Sequence, residues 1–106
     1  MIDFEHFAKL DLRIGKIVEA QLHPNAEKLY ILKVDIGDRQ IQLVAGIRPF
    51  YSQEELLGKL IAVLVNLEPR NIRGVDSEGM LLAAQSKEKM CLLTPEKDIN
   101  LGSIIR

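Results

Sequence analysis

The chain has 106 residues, of which 47% are hydrophobic and 27% charged, with 7 Gly and 4 Pro. That suits one domain over residues 1–106 and excludes a chain that is mainly disordered. With 14 Lys and Arg against 15 Asp and Glu, the net charge is −1, which taken alone argues against the strongly basic kind of nucleic-acid binder. Neither sign gathers in one third of the chain, so any cationic surface has to be assembled by folding.

The longest apolar run, Leu60 to Val65, is too short to span a bilayer. The N-terminal stretch carries acids among its apolar residues, unlike a signal peptide. The single cysteine, Cys91, cannot form an internal disulfide. A cytoplasmic protein with no membrane partner is expected.

In chain order, residues 3–9 are predicted as a short helix capped by Asp3, with Phe4 and Phe7 on one face. Leu12, Ile14, Val18, Ala20 and Leu22 keep even parity, the mark of a half-buried strand. Gly15 breaks into that strand and predicts a bulge or bend. His23 to Ala26 read as a turn, 28–36 as a second strand, Gly37-Asp38 as a hairpin turn and 40–45 as a third strand. Ser52 and Glu55 form a capping box for a helix of about two turns that stops at Gly58. Residues 60–67 are apolar on both parities, as in a strand covered on both faces. Further short strands are expected at 79–84, 90–93 and 103–105.

Three strands, a short helix and then further strands leave no long crossover helix for a parallel sheet. The order suits an all-β, five-stranded, partly open barrel of the oligonucleotide/oligosaccharide-binding (OB) type. It has a short helix between strands 3 and 4, a short N-terminal helix and a C-terminal extension. An SH3-like barrel is the nearest competitor.

Catalytic and metal chemistry find little support. His6, His23 and Cys91 stand at no metal-binding spacing, and no cofactor is expected. His6 reads as a helix-surface residue, His23 as a turn residue and Cys91 as a small core hydrophobe. Ser77 lies in no nucleophile elbow, and no glycine-rich phosphate loop is present. No enzymatic activity is expected.

Three polar segments remain: His23 to Leu29, Asn66 to Val75, and Asp76 to Ala83. Singly, each reads as a turn or loop. In an OB barrel they flank one face, which would gather Lys28, Arg70 and Arg73 near Asn66 and Ser77. Such groups bind phosphates, ribose hydroxyls and base edges. Met80, if outward, adds a soft surface for a base or ribose.

The same segments resemble the tRNA-binding domain family found at the C-terminus of many methionyl-tRNA synthetases and as small stand-alone structure-specific tRNA-binding proteins. The resemblance rests on F-x-K-L-D-L-R-I-G-K-I at 7–17, H-P-N-A-E-K-L at 23–29, V-A-G-I at 44–47 and Y-S-Q-E-E-L-L-G-K at 51–59. It continues with N-L-E-P-R-N-I-R-G-V at 66–75, S-E-G-M-L-L-A-A at 77–84 and L-T-P-E-K-D-I at 93–99. It implies an OB fold, a homodimer, and non-catalytic binding of folded tRNA by shape, alone or beside a methionyl-tRNA synthetase catalytic subunit. By position it implies tRNA contacts at Lys28, Ser77 and Met80, with Asn25, Asn66, Arg70 and Arg73 as neighbours. Asn71 and Glu78 depart from the family's pattern and make this face less positive. The CsaA-like secretion-related chaperones, which bind unfolded polypeptide, share the fold and the early motif and are the alternative. They resemble the chain less at 27–29 and 77–83.

Overall fold

A computed structural model describes residues 1–106. Its frame is a five-stranded antiparallel sheet in the order β3-β2-β1-β4-β7, rolled into a nearly closed barrel. The strands are β1 Leu12–Leu22, β2 Tyr30–Asp35, β3 Gln40–Ala45, β4 Leu60–Leu64 and β7 Met80–Leu81. Two small hairpins stand outside it, β5 Arg70–Ile72 with β6 Val75–Ser77, and β8 Ala83–Ser86 with β9 Lys89–Leu92.

β1 is long because it serves two partners. Leu12 to Lys16 pair with β4, and Lys16 to Leu22 pair with β2. The expected bulge lies three residues after Gly15. Ile17 opposes Val34 and Glu19 opposes Lys33, so Val18 is the extra residue. Before the extra residue the core side is odd, at Gly15 and Ile17, and after it the core side is even, at Ala20; Leu12 and Ile14 are buried but lie outside the core cluster. Gly15 has a separate reason: a Cβ there would lie 2.6 Å from Val34 Cγ1.

The barrel interior is Ile17, Leu32, Val34, Ile36, Leu43, Leu56, Ile61 and Val63, all essentially without solvent contact. Each such side chain contributes about 1.5–3 kcal/mol by leaving water. Between β3 and the β6–β7 corner, mainly side chains complete the closure. Ser77 Oγ accepts from Val44 N–H at 3.0 Å, and Glu78 Oε1 accepts from Gln42 N–H at 2.8 Å. The Glu78 N–H donates back to Gln42 O at 2.7 Å. Gly79 makes the corner possible, since a Cβ there would meet Leu64 O at 2.6 Å.

The first helix, α1, is Phe4–Ala8, capped by Asp3 as expected. Asp3 Oδ1 accepts from His6 N–H, and hydrogen bonding to His6 holds the Asp3 carboxyl below its ordinary range. The second, α2, is Gln53–Leu56 with the full Ser52–Glu55 capping box. It is a single turn rather than two, because Leu57 is already extended.

Three strand boundaries differ from expectation. β4 ends at Leu64 rather than 67, since the Val65 N–H turns to Asp11 O. The apolar run 79–84 is not one strand. Leu82 donates to Ala62 O while its own carbonyl accepts from Leu93 N–H, so the chain changes partners there. The tail 103–105 is not a strand of the sheet but an isolated bridge, Arg13 to Ile104, beside the part of β1 that β2 leaves unpaired, with Ile14 N–H donating to Ser103 O and Ile105 N–H to Leu12 O. No helix is long and apolar enough to cross a membrane.

Candidate nucleic-acid interface

The segment expected to be a proline-broken loop, 66–75, contributes most of a hairpin. β5 and β6 pair Arg70 with Ser77, Asn71 with Asp76 and Ile72 with Val75. The two-residue turn is Arg73-Gly74, with φ of 54° and 93°. Positive φ at both positions matches the right-handed twist of the arms. Asn71 steadies the turn: its Oδ1 accepts from Gly74 N–H at 3.0 Å and its Nδ2 donates to Asp76 Oδ1.

The tip of this hairpin is clasped by the β1–β2 turn. His23 is buried, at 3% exposure. Its Nε2 lies 3.0 Å from Ile72 O, and its Nδ1 accepts from Asn25 N–H at 3.0 Å. Those partners assign the proton to Nε2. Asn25 Nδ2 donates to Arg73 O at 3.2 Å. Two uncharged side chains thus hold segments 48 and 49 residues apart in sequence. His23 was expected only to fill a turn. The adjacent Pro24 restricts the chain there, but nothing local in the sequence points to the hairpin it meets.

The clasp places Lys28 and Arg73 around one hollow of about 430 Å³, with Asn25 and Glu27 on its wall. A second hollow, about 130 Å³, lies between Arg70, Ser77, Met80 and Val44, with Glu68 at its side. The hairpin joins the two. Lys28, Arg70 and Arg73 are exposed, and none makes an ion pair, whereas Arg13 and Arg39 are held by Asp11 and Asp38. Met80 is 48% exposed and faces outward.

Two residues sit differently from the rest. Asn66 lies at the barrel's end, where its amide clamps the α1–β1 connection. Nδ2 donates to Lys9 O at 2.7 Å, and Oδ1 accepts from Asp11 N–H at 2.9 Å. Ser77 is buried at 6% exposure, and its hydroxyl donates to Gly79 O while accepting from Val44 N–H. Glu78 lies on the closure, so its carboxylate has a backbone partner. No group of three or more His, Cys, Asp or Glu side chains is placed to hold a metal ion.

A barrel with a polar rim, unpaired cations and an outward thioether defines a class: an OB-type binder of nucleic acid. The family described as "Putative tRNA binding domain" matches residues 12–104, and the chain belongs to it. The methionine–tRNA ligase of Thermococcus kodakarensis is 54% identical over 105 residues, which are 99% of this chain and 14% of that protein. That of Nanoarchaeum equitans is 50% identical over the whole chain and again 14% of its own length. The chain therefore spans about one seventh of these relatives. Among solved structures, a MetRS related protein from Pyrococcus horikoshii superposes with a TM-score of 0.93 at 31% identity, covering 100% of this chain and 98% of that one. The CsaA chaperone protein of Picrophilus torridus superposes at 0.92 with 34% identity, covering both chains completely.

Proposed function

We propose that this chain binds folded tRNA without catalysing a reaction on it, reading phosphates, ribose hydroxyls and shape. It does so alone or as part of a methionyl-tRNA synthetase whose catalysis lies elsewhere. The observation that carries the reading is the clasp from His23 and Asn25 to the 70–77 hairpin, which holds Lys28 and Arg73 across one hollow without an acid in ion-pair contact. Lys28, Arg73 and Arg70 take phosphates, and Met80 lies against a base or ribose. Ser77 and Asn66 act by position, one holding the barrel's closing corner and the other the α1–β1 connection. Asn25 shapes the hollow. The deep major groove of A-form RNA excludes side chains, so a rigid rim of cations suits a structured target better than a sequence code.

The working unit is a homodimer. Phe4, at 77% exposure, and Ile104, at 64%, leave apolar surface near both ends of the chain without cover. Two copies present two cationic rims, and effective concentration turns two weak contacts into one usable affinity. The chaperone alternative shares the fold at 34% identity, against 54% for the ligase relative.

The test is filter binding of folded tRNA, heat-unfolded tRNA and an unstructured peptide over a range of salt. Preference for folded tRNA with a salt slope of about two to three charges supports the reading. Preference for the peptide reverses it in favour of the chaperone alternative. Sedimentation at micromolar concentration tests the dimer, and a monomer there removes it.

A further inference from the structure

Beside the cationic rim runs an apolar groove of about 290 Å³, lined by Val44, Ile47, Met80, Leu81, Ala83 and Met90. It is continuous with the Arg70 hollow, because Val44 and Met80 line both. One strand edge opens into it. The odd residues of β3 bond to β2, so Val44 turns its N–H and C=O the other way, its N–H meeting Ser77 Oγ. The Val44 carbonyl and the Gly46 N–H have no partner in the chain.

We propose that this groove seats one unpaired base of the bound RNA, its Watson–Crick edge on Val44 C=O and Gly46 N–H and its phosphate at Arg70. The inference rests on the tRNA reading and adds a subsite to it. The Watson–Crick edge of every base offers a donor next to an acceptor, and the carbonyl of one residue with the N–H of the second after it matches that pair. Because each base can satisfy it in one of two orientations, the seat is indifferent to sequence, as a reader of shape requires. Met80 and Met90 supply polarizable thioethers against the base faces. Arg70, across Val44 and Met80 from the groove, adds the charge an apolar peptide would not need. The edge also argues against an added peptide strand. Glu78 and Ser77 already occupy the N–H groups of Gln42 and Val44, which leaves one donor and one acceptor at the groove.

The experiment uses folded tRNA with and without protein, probed by dimethyl sulfate at adenine N1 and cytosine N3 and by a carbodiimide at guanine N1 and uracil N3. One unpaired base should lose reactivity on binding. Ala83→Leu, at an exposed position on the groove wall, should restore that reactivity and weaken binding about tenfold, with the salt slope unchanged. A melting curve matching that of wild type shows that the variant folds. Tight tRNA binding with no protected base, or with Ala83→Leu indistinguishable from wild type, overturns the base seat and leaves the tRNA reading standing. So does an apolar peptide that binds wild type but not Ala83→Leu while tRNA binding is unaffected. Failure of the wild type to bind tRNA removes the tRNA reading itself and the base seat with it.

Discussion

Replacing His23 by Ala should loosen the interface from beneath, without touching a group that meets RNA. The imidazole makes two contacts at 3.0 Å, one with Ile72 O and one from Asn25 N–H. Removing it leaves an acceptor and a donor without partners at a part-buried site. An orphaned backbone group costs about 1–3 kcal/mol, and partial solvent access puts both near the lower end. Loss of the packing of a side chain only 3% exposed adds to this. The sum is about 2–3 kcal/mol, a large part of the ~5–15 kcal/mol that holds such a domain together. In urea the midpoint should fall by about 1–2 M with little change of slope. Protection of the amides in 70–77 against hydrogen exchange should fall at least as much. The tRNA affinity of the folded protein should drop about tenfold, since Lys28 and Arg73 must be re-ordered on binding. The salt slope should stay as it was, because no charge has been removed. A midpoint within ~0.2 M of wild type, with unaltered affinity, would refute the claim that His23 organises this face.

Lys28→Ala should weaken tRNA binding and lower the salt slope by about one, as loss of a single phosphate contact does; an unchanged slope removes Lys28 from the contact set. Ser77→Ala should lower stability by about 1–2 kcal/mol, read by denaturant midpoint, because Val44 N–H and Gly79 O both lose a partner. If the variant is as stable as wild type but binds RNA poorly, the hydroxyl meets the RNA instead. Glu55 is held below its ordinary value of 4.5, chiefly by the hydrogen bond from the Ser52 N–H. Its folded-state pKa is thus below its unfolded one. Its contribution is present above about pH 4.5 and is lost as pH falls through the lower folded value. The stability gap between wild type and Glu55→Gln should therefore narrow on acidification, and a gap that is constant from pH 7 to 3 contradicts this role.

Local signals carried much of the fold. Asp3 and the Ser52–Glu55 box act within one turn, and both caps formed where the sequence placed them. The strand pattern through 28–36 and 40–45 held because one face of each strand is buried. Signals failed where a partner distant in sequence decided the outcome. The even parity of β1 reads through Val18, yet Gly15 and Ile17 face the core and Val18 is the bulge, after which Ala20 faces inward. In 66–75, Pro69 by itself favours a loop. The hairpin's own cue was smaller: a glycine at 74 between the β-branched Ile72 and Val75, with Arg73 at positive φ in place of the usual Asn or Asp. Ser77 and Asn66 were legible as polar residues in the right segments. Which atoms they would hold was not, since their partners lie 33 and 55–57 residues away.

The distribution of charge follows from how the site is held. A cation fixed in place by an acid loses most of its field to that acid, as Arg13 does against Asp11 at 2.9 Å. Lys28 and Arg73 are placed instead by His23 and Asn25 acting on backbone carbonyls, and the Arg73-Gly74 turn is steadied by Asn71. Of the acids nearest the face, Glu78 accepts a backbone N–H and Asp76 accepts from Asn71. Neither forms a salt bridge with an interface cation. A chain of net charge −1 can therefore present unneutralised cations on one rim, with Glu27 and Glu68 as the local counterweights. Those two glutamates line the same hollows as the cations. On the proposed function, a phosphate gains there only where it sits nearer the guanidinium or ammonium than the carboxylate. Such a surface gains little from any extended polyanion and more from one whose phosphates have the right spacing.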